Sequence, residues 1–244
     1  MVLERAQPAR LAVLIDADNA QPSIMEGLLA EVAKYGVPII RRAYGDWTTP
    51  NLGGWKTVLL DHAVQPVQQF RYTVGKNATD SAMIIDAMDL LLAGRFDGFC
   101  LVSSDSDFTR LAQRIREEGR LALGFGERKT PRPFVAACDR FIYTDLLESQ
   151  PTLTRKADDR RPKPERVPLE LLGASVEAAA DDSGWAHLSA VGAKIAQQAP
   201  DFDTRRYGHA KLSDLFAALP DTFETESRKQ GNGVSRLVRL RATA

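Results

Sequence analysis

Between Leu11 and Tyr143, short apolar runs alternate with longer amphipathic segments, and this alternation restricts the fold more than any other feature of the chain. Leu11–Ile15, Pro38–Tyr44, Val67–Tyr72, Gly98–Val102, Leu121–Phe125 and Phe141–Tyr143 have the length and composition of strands. Pro22–Lys34, Trp55–Ala63, Asp80–Leu92 and Asp107–Glu118 repeat their apolar residues at three and four, the period of a helix with one buried face. Strands alternating with helices in this way imply an α/β domain in which helices cover both faces of a parallel sheet.

The pattern stops after Glu148. Ser149–Pro168 carries Pro151, Pro162, Pro164 and Pro168 among Arg155, Lys156, Arg160, Arg161, Lys163 and Arg166, which is the composition of a basic linker. Beyond it, Leu169–Ala180, Leu188–Gln198 and Lys211–Ala218 read as helices, and Thr222–Glu226 and Val234–Leu240 as extended pieces on either side of a glycine-containing tip. Helices followed by a hairpin describe a small winged-helix-like α+β domain. The expected boundaries are therefore 1–148 for the first domain, 149–167 for the linker and 168–244 for the second domain.

A chain of 244 residues can bury two cores of this size. Met1–Ile15 holds Glu4, Arg5 and Arg10 around one short apolar run, so neither a signal peptide nor a membrane span is expected, and we read the protein as cytoplasmic. Cys100 and Cys138 stand far apart in apolar surroundings, which suits packed thiols and argues against a zinc site. The formal net charge is zero, so any affinity for nucleic acid must come from locally clustered cations.

Three segments carry chemistry. The run Leu11–Ile15 leads into Asp16-Ala17-Asp18-Asn19, and Phe99–Val102 leads into Ser103-Ser104-Asp105-Ser106-Asp107. Ligand sites of open parallel sheets lie at such carboxyl ends of strands. Helix capping accounts for one carboxylate in each place, or for Asn19, but a surplus would repel its neighbours unless a cation lay between them. The third segment, Gly75-Lys76-Asn77-Ala78-Thr79-Asp80, opens a helix. Asp86 and Asp89 lie further along that helix and, at about 100° per residue, point away from Asp80. Asp16, Asp80, Asp105 and Asp107 thus form a hard, all-oxygen donor set of the kind that holds Mg2+ or Mn2+. A pair of such ions about 3.5–4 Å apart serves phosphodiester hydrolysis in two-metal nucleases.

These three segments, in this order, resemble the NYN family of PIN-like nucleases, related to the LabA-like proteins, over roughly residues 10 to 146. The resemblance implies an open parallel sheet of order 3-2-1-4-5 and a ribonuclease whose catalytic and metal-binding residues are Asp16, Asp80, Asp105 and Asp107. It also implies supporting roles for Asp18, Asn19, Ser104 and Lys76, with Ser104 standing where a glycine is common. The tail resembles a LOTUS domain, also called OST-HTH, through Gly184-Trp185-Ala186, Pro200-Asp201-Phe202, Tyr207–Leu212 and the run Val234–Leu240. That resemblance implies RNA, single-stranded or structured, as a partner, and leaves open a protein partner and self-association.

Acidic residues slightly outnumber basic ones from Pro168 onward, yet the cations cluster. Arg205, Arg206, His209 and Lys211 gather at one helix start, and Arg228, Lys229, Arg236, Arg239 and Arg241 around the hairpin, where winged helices meet nucleic acid. Trp185 and Phe202 fit a core better than a stacking platform. Two alternatives compete with a ribonuclease. One is an RNA-binding adaptor without catalysis; the other is a haloacid-dehalogenase-like phosphatase with Asp16 as nucleophile, which lacks a later acidic pair from another strand end.

Overall fold

In the computed structural model, which describes residues 7–70, 78–147, 164–230 and 233–241, the apolar run at Leu11 is β1 (Arg10–Asp16), buried from Leu11 to Asp16. Its side chains divide by parity: Ala12 and Leu14 enter one apolar cluster, Leu11, Val13 and Ile15 another. A strand buried on both faces lies at the centre of a sheet. After β1 come α1 (Met25–Val32), β2 (Val37–Gly45), α2 (Trp55–Asp61), β3 (Gln65–Gln68), α3 (Ala78–Leu92) and β4 (Gly98–Val102). Then follow α4 (Thr109–Glu117), β5 (Leu121–Gly126), α5 (Arg132–Ala137) and β6 (Arg140–Tyr143).

The strands form a six-stranded sheet of order β3-β2-β1-β4-β5-β6 in which every pairing is parallel. The expected order 3-2-1-4-5 is present and is extended by β6. The chain winds outward from β1 through β2 to β3, then crosses by α3 to the other side of β1 and winds outward again. The reversal sets β1 beside β4, with Ile15 opposite Val102, and opens a crevice beyond their carboxyl ends. Helix α3, through Met83, Ala87 and Leu91, packs on one face with α4 and α5; α1 and α2 pack on the other through Met25, Leu28, Trp55 and Leu59.

The first unit departs from the sequence expectation most clearly at β3 and at α5. β3 is Gln65–Gln68 rather than Val67–Tyr72, because this edge strand is selected by its bonds to Arg42–Gly45 and not by its own hydrophobicity; residues 71 and 72 lie outside the described residues. Helix α5 was not anticipated, since a six-residue helix behind Pro131 is too short to display a period. Both cysteines are buried, and burial pushes each thiol pKa up. No helix among the described residues is long and apolar enough to cross a membrane.

By contact, the chain divides into two compact units, Met1–Thr152 and Leu153–Ala244. The second contains α6 (Leu169–Glu177), β7 (Ala186–His187), α7 (Leu188–Gln198), α8 (Leu212–Ala217), β8 (Phe223–Gln230) and β9 (Gly233–Leu240). Its three strands form an antiparallel sheet of order β7-β9-β8 over a core that includes Leu172, Val191, Leu215, Phe216 and Phe223. The two-residue β7 was missed because pairing with β9, not its own composition, makes it a strand. A tight turn ends the Thr204–Tyr207 segment, where Gly208 takes φ +83°. Much of the expected linker lies outside the described residues.

The crevice depends on close approach of β4 and β5. An added Cβ on Gly126 would lie 2.6 Å from the Ser103 carbonyl oxygen and 2.6 Å from Thr130 Oγ1. Gly126→Ala is therefore expected to destabilise the protein by roughly 1–3 kcal/mol through overpacking, read as a lower urea midpoint at unchanged m-value.

Candidate metal centre

Asp16 ends β1 with no exposed surface. Its Oδ2 accepts hydrogen bonds from Asn19 Nδ2 at 2.7 Å and Ser103 Oγ at 2.8 Å, while Oδ1 is buried with no hydrogen-bond partner among the described residues. Burial raises the Asp16 pKa, against the lowering effect of those two bonds. Ser103, the first residue after β4, also accepts from the Asp105 backbone N–H at 3.1 Å. One hydroxyl thus joins the ends of the two central strands. Asp105 in turn caps the short Ser106–Phe108 helical turn before α4, accepting from the Asp107 N–H at 2.9 Å.

Helix α3 brings Asp80 in from another direction, in its first turn. One carboxylate oxygen from each of Asp80, Asp105 and Asp107 can be chosen so that all three lie within 4.8 Å of one another. Asp16 does not join that triple, but its charge reaches it. Burial first, then repulsion by Asp16, Asp105, Asp107 and Asp18 in that order, push Asp80 up to about 6. Asp107 is exposed, Asp105 intermediate and Asp80 buried, so the group runs from solvent into the protein.

The other candidates occupy the rim or stand apart. Asn19 orients Asp16, and Asp18 accepts from Thr79 Oγ1 at 2.9 Å, which ties the β1 end to the start of α3. Ser104 does not contact the acids: its Oγ accepts from the Glu127 N–H at 2.9 Å and ties the β4 end to the β5 end. Lys76 lies outside the described residues. Beside the acids is a cleft of about 150 Å³ whose lining includes Asn19, Ser103, Gly126, Glu127 and Thr144.

Sequence reasoning missed two contributors. Ser103 was passed over for Ser104, although its place directly after the buried strand was the available signal. Asp86, expected only to point away from Asp80, is half-buried and accepts from Arg42 Nη1 at 2.6 Å and the Tyr44 hydroxyl at 2.5 Å. Those bonds fasten α3 to β2 two turns below Asp80, and no local pattern could have revealed them.

The family model for the NYN domain matches residues 10–148, the stretch that holds all of these acids. The chain belongs to the NYN domain family. This places the first unit among PIN-like, nuclease-type domains. The model for the OST-HTH/LOTUS domain matches residues 161–235 behind it. No curated protein matches the chain. Among solved structures, it is similar to a protein of unknown function from Vibrio parahaemolyticus at 18% identity and TM-score 0.49, over 58% of this chain and 96% of that one. An uncharacterized protein from Nitrosomonas europaea is similar at 31% identity and TM-score 0.32, over 39% of this chain and 92% of its own. A Chromobacterium violaceum structure is similar at 35% identity and TM-score 0.28, over 34% and 88% respectively.

In the LOTUS domain the expected RNA-contacting residues differ in their surroundings. Arg205 pairs with Asp203 at 2.6 Å, Arg206 with Glu165 at 2.7 Å and Asp201 at 3.3 Å, and Arg228 with Glu226 at 2.8 Å. His209 is half-buried, Lys211 and Arg236 are exposed, and the Lys229 side chain lies outside the described residues. Trp185 is buried with the guanidinium carbons of Arg239 and Arg228 at 4.6 and 5.4 Å from its ring, a core position.

The raised Asp80 pKa gives the metal-free NYN domain a pH signature. A carboxyl that binds its proton more tightly folded than unfolded adds stability below its unfolded pKa, and that stability is lost as pH rises through the folded value. In chelator, stability should fall from about pH 4 to just above pH 6, by on the order of 2 kcal/mol for the Asp80 contribution. Asp80→Asn should flatten this slope, and urea melts across that range provide the measurement.

Proposed function

We propose that the NYN domain is a metal-dependent ribonuclease in which Asp16, Asp80, Asp105 and Asp107 hold Mg2+ or Mn2+ and that the LOTUS domain supplies RNA affinity. The observation that carries this reading is the buried Asp16 Oδ1 without a partner among the described residues, next to three carboxylates gathered within 4.8 Å. An unsatisfied buried carboxylate oxygen is costly, and so is a set of carboxylates at short range. A hard divalent cation relieves both, and the all-oxygen donors suit magnesium or manganese.

Bound there, the ion supplies Lewis-acid stabilisation of charge on a phosphodiester. The chain does the positioning. Asn19 and Ser103 both hold Asp16 Oδ2, which leaves Oδ1 for the ion; the capping bond holds Asp105, and α3, fastened by Asp86, carries Asp80. Asp107 forms the exposed end of the group, the side from which solvent and substrate have access. The neighbouring cleft offers room for one ring-sized group of the substrate, since a cavity of about 150 Å³ accommodates a benzene ring.

The phosphatase reading loses support from the burial of Asp16. A nucleophilic carboxylate must reach phosphorus, whereas a metal ligand can stand behind its ion. The adaptor reading shares the fold and differs in chemistry, so cleavage decides between them.

Asp105→Asn can still accept the Asp107 N–H and keep the cap, yet it removes an anionic ligand. Metal-dependent cleavage of labelled RNA should fall by about two orders of magnitude or more, at near-unchanged melting temperature and RNA affinity. Cleavage at the parent rate by the folded variant, or equal cleavage in chelator, would sink the proposal. RNA binding with no metal-dependent cleavage in the parent would leave the adaptor.

A further inference from the structure

Arg205, Arg206, Arg228 and Arg239 of the LOTUS domain are each matched by a carboxylate of the same unit, at 2.6, 2.7, 2.8 and 2.7 Å. Lys211 and Arg236 differ: among the described residues neither forms an ion pair or a side-chain hydrogen bond, and both are exposed. They line one hollow of about 540 Å³ together with His187, Ser189 and Ser235. Among the described residues no carboxylate lines it. His187 closes β7 and its Nδ1 lies 2.9 Å from Ser235 Oγ, so a hydrogen bond between two wall residues fixes the ring. The eleven-residue α7 also begins here, with His187 at its cap position and making no side-chain capping hydrogen bond.

Unmatched cations around a concavity focus a positive potential there, and the open helix start adds to it. We propose that this hollow, rather than the matched arginines, is where the LOTUS domain grips a phosphate of the RNA backbone, with Lys211 and Arg236 as the principal contacts and His187 and Ser189 as additional donors. The proposal rests on the reading of this domain as an RNA-binding module and locates its contact. Phosphate fits the wall better than an acidic peptide does. The lining offers several donors, and its only large apolar members, Leu188 and Leu212, pack on the domain core, which leaves no apolar anchor for a protein partner.

The test uses the full chain carrying Asp105→Asn, so that RNA is not cut, with a fluorescent single-stranded RNA of mixed sequence and a series of salt concentrations. Adding Lys211→Ala and Arg236→Ala should weaken binding about tenfold or more and reduce the slope of log K against log salt by about 1–2, as expected for two lost phosphate contacts. Lys211→Arg with Arg236→Lys should keep the slope. Arg205→Ala and Arg228→Ala should change affinity less than about threefold, and melting curves check that every variant folds. Unchanged affinity and slope in the folded double variant, with RNA still bound by the parent, would overturn the hollow alone. Absence of RNA binding by the parent would overturn both the hollow and the RNA-binding reading. Loss of a polyglutamate probe by the double variant, with RNA binding intact, would assign the hollow to acidic protein partners and overturn the proposal.

Discussion

Everything at the acidic centre depends on the parallel pairing of β1 with β4. Only at the point where the winding of the sheet reverses do two strand ends leave an uncovered crevice, because elsewhere a connecting helix packs over the gap. Ile15 opposite Val102 fixes the register, and that register places Asp16 within reach of the Ser103 hydroxyl. From there the geometry follows covalently and by hydrogen bond: Ser103 holds the Asp105 N–H, and Asp105 holds the Asp107 N–H. The site is assembled from backbone positions set by two buried strands, so its precision derives from the core.

That arrangement opposes the stability of the metal-free fold. Apolar packing on both faces of the sheet forces Asp16 into a buried position and draws Asp80 toward four other carboxylates, Asp16, Asp105, Asp107 and Asp18. Repulsion there would be relieved most cheaply by a small shift of α3 outward. The Asp86 contacts to Arg42 and Tyr44 resist such a shift, and burial and the adjacent carboxylate raise the Tyr44 pKa, which keeps its hydroxyl protonated as the donor. A group of acids held together against their own repulsion is a reservoir that a bound cation would discharge, so metal binding of the kind proposed would be coupled to folding.

The second unit distributes charge by another rule. Its balance of acids and bases conceals two populations, arginines that tie loops and strands together and cations that pair with no carboxylate among the described residues. The matched arginines serve structure: Arg206 joins the segment before α6 to the turn ahead of Gly208, and Arg239 covers Trp185 while bonding Glu224 across the hairpin. Net charge therefore says little about where a polyanion would bind, and the unmatched residues say more.

The strands of the sheet and the acids at their ends were legible in sequence because each is local: a strand buried on both faces must be apolar throughout, and a polar cluster directly behind it marks the carboxyl end. The order of the strands around β1 is not local and was implied only by the family resemblance. Short α5 and β7 were not legible, since neither is long enough to show a period, and β3 was misplaced because an edge strand is chosen by its neighbour. Within the site, the identity of the acids was set by sequence alone, as was their division among three segments. Which serine bridges the central strands, which aspartate is sealed from solvent with one oxygen unmatched, and which arginines are neutralised were decided only by tertiary structure. Those properties arise from contacts between segments tens of residues apart, and residue type at one position carries no information about the partner that packing will bring to it.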